Sequence, residues 1–154
     1  MRALVCGGRD YEDRDHIWNT LCELDAARGP FSVIIHGCAT GADYEGMLWA
    51  QTMGRKHAPF QADWRALGKA AGPIRNQRMI DEGKPHIVIA FPGGRGTADM
   101  VRRAILHGVE VIEVSALAAG TRSAETVQQG SVRRMPERPE GQRPDPVASL
   151  QKDQ

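Results

Sequence analysis

The sequence lacks the extremes that would tie it to a polyanion, a membrane or a disulfide framework. Across 154 residues, 20 Lys and Arg stand against 19 Asp and Glu, a formal net charge of +1. A dedicated nucleic-acid binder neutralises phosphates with a basic excess, so this balance argues against one. No apolar run approaches the roughly 20 residues of a membrane span, and no signal peptide is visible. Cysteine is scarce. Cys6, Cys22 and Cys38 are odd in number and without CxxC spacing, which argues against a disulfide scaffold and fits a reducing cytoplasm. The His36-x-Cys38 pair offers two metal ligands, too few for a site, so neither a metal nor a resident cofactor is expected. Nothing around Cys38 suggests an activated thiolate, and a small filler residue is the simpler assignment.

Aromatic residues are missing from the last part of the chain. All eight lie at or before Phe91, while four of the nine prolines fall after Ser115. Arg133-Arg134-Met135-Pro136-Glu137-Arg138-Pro139-Glu140-Gly141 is polar and aperiodic. Such composition cannot bury enough apolar surface to offset the entropy of ordering. The expectation is one folded domain over residues 1–117 and a disordered tail over 118–154. With the tail set aside, the core is neutral.

Within the core, apolar runs at 2–6, 31–35 and 86–91 read as buried strands, 109–114 as the last strand, with a weaker one near 57–61. Helical spacing appears at 13–27 (Ile17, Trp18, Leu21, Leu24), ended by Gly29-Pro30. It recurs at 41–53, where Met47, Leu48, Ala50 and Met53 form the inner side, and at 97–107 before Gly108. Pro73 suits a first helical position for a helix to about Glu82, and 64–71 is ambiguous. Strands and helices alternate, and continuous apolar strands imply burial on both faces. The predicted architecture is therefore α/β: a Rossmann-like three-layer sandwich with a mostly parallel five-stranded sheet.

What the sequence has in quantity is glycine, 17 in all, and seven of these cluster just after strands. Gly7 and Gly8 precede Arg9 and Asp10. Gly37 and Gly41 precede Asp43. Pro92 leads into Gly93, Gly94, Arg95, Gly96 and Thr97. In a parallel sheet these loops share the carboxyl edge, where ligands bind. Glycine admits close backbone approach, and helix N-termini favour anions, so a phosphate is the natural ligand. Ala71-Gly72-Pro73-Ile74-Arg75-Asn76-Gln77-Arg78 adds donors at a helix start, arginine being suited to bidentate phosphate recognition. Asp43 either complements a helix dipole or accepts a ribose hydroxyl. His36, at a strand end, reads as a structural hydrogen-bonder.

The set of Cys6-Gly7-Gly8-Arg9-Asp10, His36-Gly37-x-Ala39-x-Gly41-Ala42-Asp43, Ala71-Gly72-Pro73-Ile74-Arg75-Asn76 and Pro92-Gly93-Gly94-Arg95-Gly96-Thr97 resembles the YspA/YpsA-related branch of the SLOG superfamily. That superfamily unites the SMF/DprA and Lonely Guy (LOG) proteins, and the resemblance spans roughly residues 1–114. It implies a Rossmann-like domain that binds or senses a phosphorylated nucleotide or nucleotide-derived small molecule, and a homodimer. LOG proteins are phosphoribohydrolases that cleave an N-glycosidic bond, which makes such hydrolysis the alternative. Their PGGxGTxxE pattern ends in a catalytic glutamate, and that position is Met100 here. Asp99 and Asp43 are then the candidate catalytic acids. The expected ligand-binding residues are Gly7, Gly8, Arg9, Gly37, Gly41, Asp43, Arg75, Asn76, Pro92, Gly93, Gly94, Arg95, Gly96 and Thr97. Single-stranded DNA binding, a possibility on the DprA side, is disfavoured by the neutral core.

Overall fold

A computed structural model describes residues 1–116. The expected tail at 118–154, and the domain boundary at 117, lie outside the described residues. Five strands carry the core: β1 (Arg2–Cys6), β2 (Val33–His36), β3 (Lys56–Pro59), β4 (Ile87–Ala90) and β5 (Glu110–Glu113). All neighbours pair in parallel, in the order β3-β2-β1-β4-β5. The helices are α1 (Arg14–Arg28), α2 (Ala42–Thr52), the short α3 (Trp64–Leu67), α4 (Ala71–Asp81) and α5 (Arg95–Leu106), with a 3₁₀ turn at Gly68–Ala70.

Side chains alternate along each strand, so the sheet feeds two cores. Ala3, Val5, Ile34, Ile87 and Ile89 meet α1 and α2 through Ile17, Trp18, Leu21, Leu48 and Trp49. Leu4, Cys6, Ile35, Val88 and Ala90 meet α4 and α5 through Met79, Ile80, Met100 and Ala104. The strands are buried on both faces, as their continuous apolar runs predict. The two outer strands differ: β3 and β5 are exposed at their ends and only partly buried between, and for β3 this is why the sequence signal is weaker.

Three local expectations change. Pro73 is the third residue of α4, not the first, because the 3₁₀ turn runs directly into the helix and extends it by two residues. The inner side of α2 is formed by Gly46, Leu48, Trp49 and Ala50, with Met47 and Met53 only partly buried. Gly46 there allows close approach to Val5, whose side chain would lie 3.1 Å from an added Cβ. Gly29 ends α1 where the sequence places the stop, but through space and not backbone freedom: its conformation is extended (φ −82°). Glycine is needed for space, since a Cβ would sit 2.4 Å from the Asp25 carbonyl.

Connectivity fixes the location of a crevice. After β3 the chain crosses β1 and β2 to place β4 on the far side of β1. The loops leaving β1 and β4 therefore turn to opposite faces, and open α/β sheets bind ligands at such a switch point.

Candidate functional site

A cleft of about 670 Å³ opens at this switch point, a size typical of small-molecule sites. Its wall includes Gly7, Gly8 and Arg9 after β1, Asp43 of α2, Arg75 and Asn76 of α4, and Gly94, Arg95, Gly96, Thr97 and Asp99 of α5. Eleven of the residues expected from sequence thus converge on one cavity. The other four, Gly37, Gly41, Pro92 and Gly93, stand behind its surface and set its shape.

Those four bring the loops together. Gly8 N–H donates to Pro92 O at 2.8 Å, joining the β1 and β4 loops. Gly93 packs against both Thr97 and Gly8, where a Cβ would lie 2.2 Å from Thr97 Oγ1 and 2.7 Å from Gly8 N. Gly41 has φ +75°, and its Cβ would stand 2.1 Å from Gly8 O. Both conformation and contact therefore demand glycine at 41. Gly37 lies against the Arg75 guanidinium and the Asp43 carboxylate.

Helix ends distinguish the cleft from the remaining surface. Asp13 caps α1 by accepting from His16 N, and Asp63 caps α3 by accepting from Ala66 N. By contrast, α5 begins at Gly94 with no side-chain cap. An added Cβ at Gly94 or Gly96 would meet nothing within 4 Å. The first N–H groups of α5 have no intrahelical acceptor and carry the positive end of the helix dipole. They open on the cleft, with Arg9, Lys69 and Arg95 around it.

Two carboxylates have opposite electrostatics. Asp43 is 5% exposed and accepts from Gly37 N at 2.7 Å. Burial raises its pKa to about 6, against the lowering influence of the Gly37 and Ala39 amides, Arg75 and Arg9. Arg75 donates to Gly37 O, so the guanidinium and the carboxylate grip the same peptide segment. Asp99 accepts from Asn76 Nδ2 at 3.0 Å, Arg103 Nε at 2.8 Å and Arg102 Nη2 at 2.7 Å. Burial opposes its ionisation, but these donors outweigh burial and hold the carboxyl below its ordinary range. Asn76 also donates to Gly96 O at 3.1 Å, tying α4 to the start of α5.

Nucleophile and metal candidates are placed unfavourably. Burial pushes the Cys6 thiol far up, reinforced by Asp43, so it carries no thiolate. Cys38 is exposed in a left-handed conformation (φ +59°) outside the cleft wall. Its N–H donates to His36 Nδ1 at 3.3 Å, and His36 Nε2 lies 3.1 Å from His57 Nδ1. Burial, then His57, lowers the His36 pKa to about 4. The imidazole is neutral, with its proton on Nε2 directed at His57. Among the described residues, no group of three or more His, Cys, Asp or Glu side chains is placed to hold a metal. No described helix is long and apolar enough to cross a membrane.

Sequence reasoning missed four residues of the cleft wall on and between α3 and α4. Trp64, Lys69, Gly72 and Met79 all line the cleft. Trp64 is 47% exposed and lies beneath the Arg9 guanidinium, 5.1 Å from the ring centroid. At an exposed position such a contact contributes about 0.5–1 kcal/mol. The available signal was Asp63 before Trp64, an N-cap that turns an ambiguous stretch into a short helix. Met100 is 1% exposed, packs in the core and also lines the cleft.

The fold and its glycine-lined crevice are those of a Rossmann-like domain. The structure of DNA processing protein A (DprA) from Streptococcus pneumoniae aligns with a TM-score of 0.62 at 18% sequence identity, covering 84% of this chain and 56% of that one. The chain thus spans little more than half the length of that DprA, and the likeness is one of fold. The family model described as the YspA, cpYpsA-related SLOG family matches residues 1–66. The Gene 61 protein of Mycobacterium phage D29 is 38% identical over 119 residues, which cover 72% of this chain and 94% of that protein. The chain belongs to the YspA, cpYpsA-related SLOG family.

Proposed function

We propose that this domain binds or senses a phosphorylated nucleotide or nucleotide-derived small molecule in the switch-point cleft. The observation that carries the proposal is the start of α5. Its N-terminus has no side-chain cap, a Cβ added at Gly94 or Gly96 would meet nothing within 4 Å, and it opens into a cavity of about 670 Å³. Backbone amides of Gly94 to Thr97 and the Thr97 hydroxyl would hold the phosphate. Arg9, Arg95 and Lys69 would supply charge. Asn76 and Asp43 would meet ribose hydroxyls. Isothermal titration with nucleoside monophosphates, ADP-ribose and NAD tests this: at least one should bind with a one-to-one stoichiometry, and no binding across the panel would contradict it.

Hydrolysis of an N-glycosidic bond is the second reading, and one observation favours it. Asp43 is a buried carboxyl in the cleft with a pKa near 6, poised for proton transfer near neutral pH. Asp99, the other candidate acid, is a fixed anion engaged by three donors. Met100, where LOG proteins carry glutamate, offers no proton and no charge. Binding without release of free base, followed by chromatography on the same panel, is the expected outcome. Release that disappears in Asp43→Asn would install the hydrolase instead.

The proposal includes a homodimer and excludes nucleic acid as the ligand. The DNA processing in the name of the structural neighbour does not transfer, because a net charge of +1 provides no basic field for a polyanion. Light scattering tests the first statement, and titration with an oligonucleotide at low salt the second.

A further inference from the structure

We infer that the ligand carries a planar nucleobase and that the indole of Trp64 is the surface on which it stacks. This rests on the phosphate site proposed above and adds its other end. The chain has three tryptophans. Trp18 and Trp49 are 2% and 0% exposed and belong to the core, whereas Trp64 is 47% exposed. A single exposed ring is ordinary on a protein surface; what sets Trp64 apart is that it lines the cleft. One edge of the ring lies against Gly72, where a Cβ would stand 3.1 Å from its Cη2 atom. Glycine at 72 lets the indole settle onto the start of α4. The Asp63 cap, 3.0 Å from Ala66 N, holds the backbone of α3, which carries Trp64.

The Arg9 guanidinium lies over the ring, with 5.1 Å between guanidinium carbon and ring centroid. Arg9 comes from the loop after β1, is exposed and forms no ion pair among the described residues. A base stacking on tryptophan is held more strongly than an exposed guanidinium. The base therefore takes the place of Arg9 on the ring, and the planar guanidinium is free to stack on the base's outer face. Trp64 and the Gly94–Thr97 turn line the same cleft, so base and phosphate occupy its two sides. Stacking is tolerant of base identity because every base has a π-face.

Titrating wild type with AMP, GMP, CMP and UMP, and with ribose 5-phosphate, separates this inference from the phosphate site. At least one monophosphate should bind at least about tenfold more tightly than ribose 5-phosphate and quench tryptophan fluorescence. Trp64→Leu should weaken that monophosphate by about 5- to 150-fold, abolish the quenching and leave ribose 5-phosphate binding within about twofold. Trp64→Phe should recover most of the affinity. Equal wild-type affinities for the monophosphates and ribose 5-phosphate would overturn the stacking role while leaving the phosphate site standing. So would a Trp64→Leu variant that keeps full monophosphate affinity, or one that loses both ligands alike. If wild type binds neither class, the phosphate site falls and the stacking role falls with it.

Discussion

Glycines in the cleft divide by what a methyl group would meet. At Gly41 the left-handed backbone and the 2.1 Å approach to Gly8 O leave no room for any side chain. Gly41→Ala should cost about 2–4 kcal/mol, from backbone strain and the clash together. Gly96 has open space and sits in the first turn of α5. Gly96→Ala should leave stability unchanged or raise it by up to about 1 kcal/mol, since alanine is the better helix former. The same change should cut ligand affinity at least tenfold, because the methyl would fill the place proposed for the phosphate. Urea denaturation and titration on both variants check this. Unchanged ligand affinity in Gly96→Ala would remove the phosphate from the α5 turn. The motif is legible as a row of glycines, but not which glycine serves the fold and which the ligand.

At the scale of elements, Asp99 and Asn76 brace α4 against α5. Asp99 receives hydrogen bonds from both helices, and Asn76 reaches Gly96 O as well. Arg102 is 63% exposed at its side chain, so its ion pair contributes little. The less exposed Arg103 and the Asn76 amide contribute most. Asp99→Ala should therefore cost about 1–3 kcal/mol and weaken ligand binding indirectly, because the start of α5 loses its brace. A change in urea midpoint measures the first effect. A variant with wild-type stability would refute the bracing role. The sequence pattern places Asp99 near the edge and beside the family's glutamate position. Only the packing of α5 on α4 turns its carboxylate toward Asn76 and Arg103.

At the scale of the whole molecule, two buried groups make stability respond to pH in opposite directions. Asp43 has a raised pKa, about 6, so the folded state takes up its proton before the unfolded chain does. Its contribution favours folding as pH falls through 6. His36 has a lowered pKa, about 4, so the unfolded chain is protonated first, from the ordinary histidine value near 6.5. Its contribution opposes folding as pH falls from there toward 4. Between pH 7 and pH 5 each effect is on the order of 1–2 kcal/mol, and they partly cancel. Urea midpoints at the two pH values should fall more in Asp43→Asn than in wild type, and less in His36→Gln. The reverse order would show that these side chains do not titrate as their burial implies.

The sequence by itself determined the strand-helix alternation, the burial of the sheet on both faces and the glycine-rich edge. These are local properties: apolar runs, helical spacing and loop composition are each written within a dozen neighbouring residues. Tertiary structure decided the rest. Trp64 and Lys69 join the cleft because the crossover from β3 to β4 carries α3 over the carboxyl edge, and no local pattern records where a crossover passes. Pro73 became a third helical residue because the 3₁₀ turn before it continues into α4. Asp43 and Asp99 look alike as carboxylates near one edge. Their surroundings, buried among amides in one case and surrounded by arginines in the other, come from elements distant in the chain, and those surroundings set their charge.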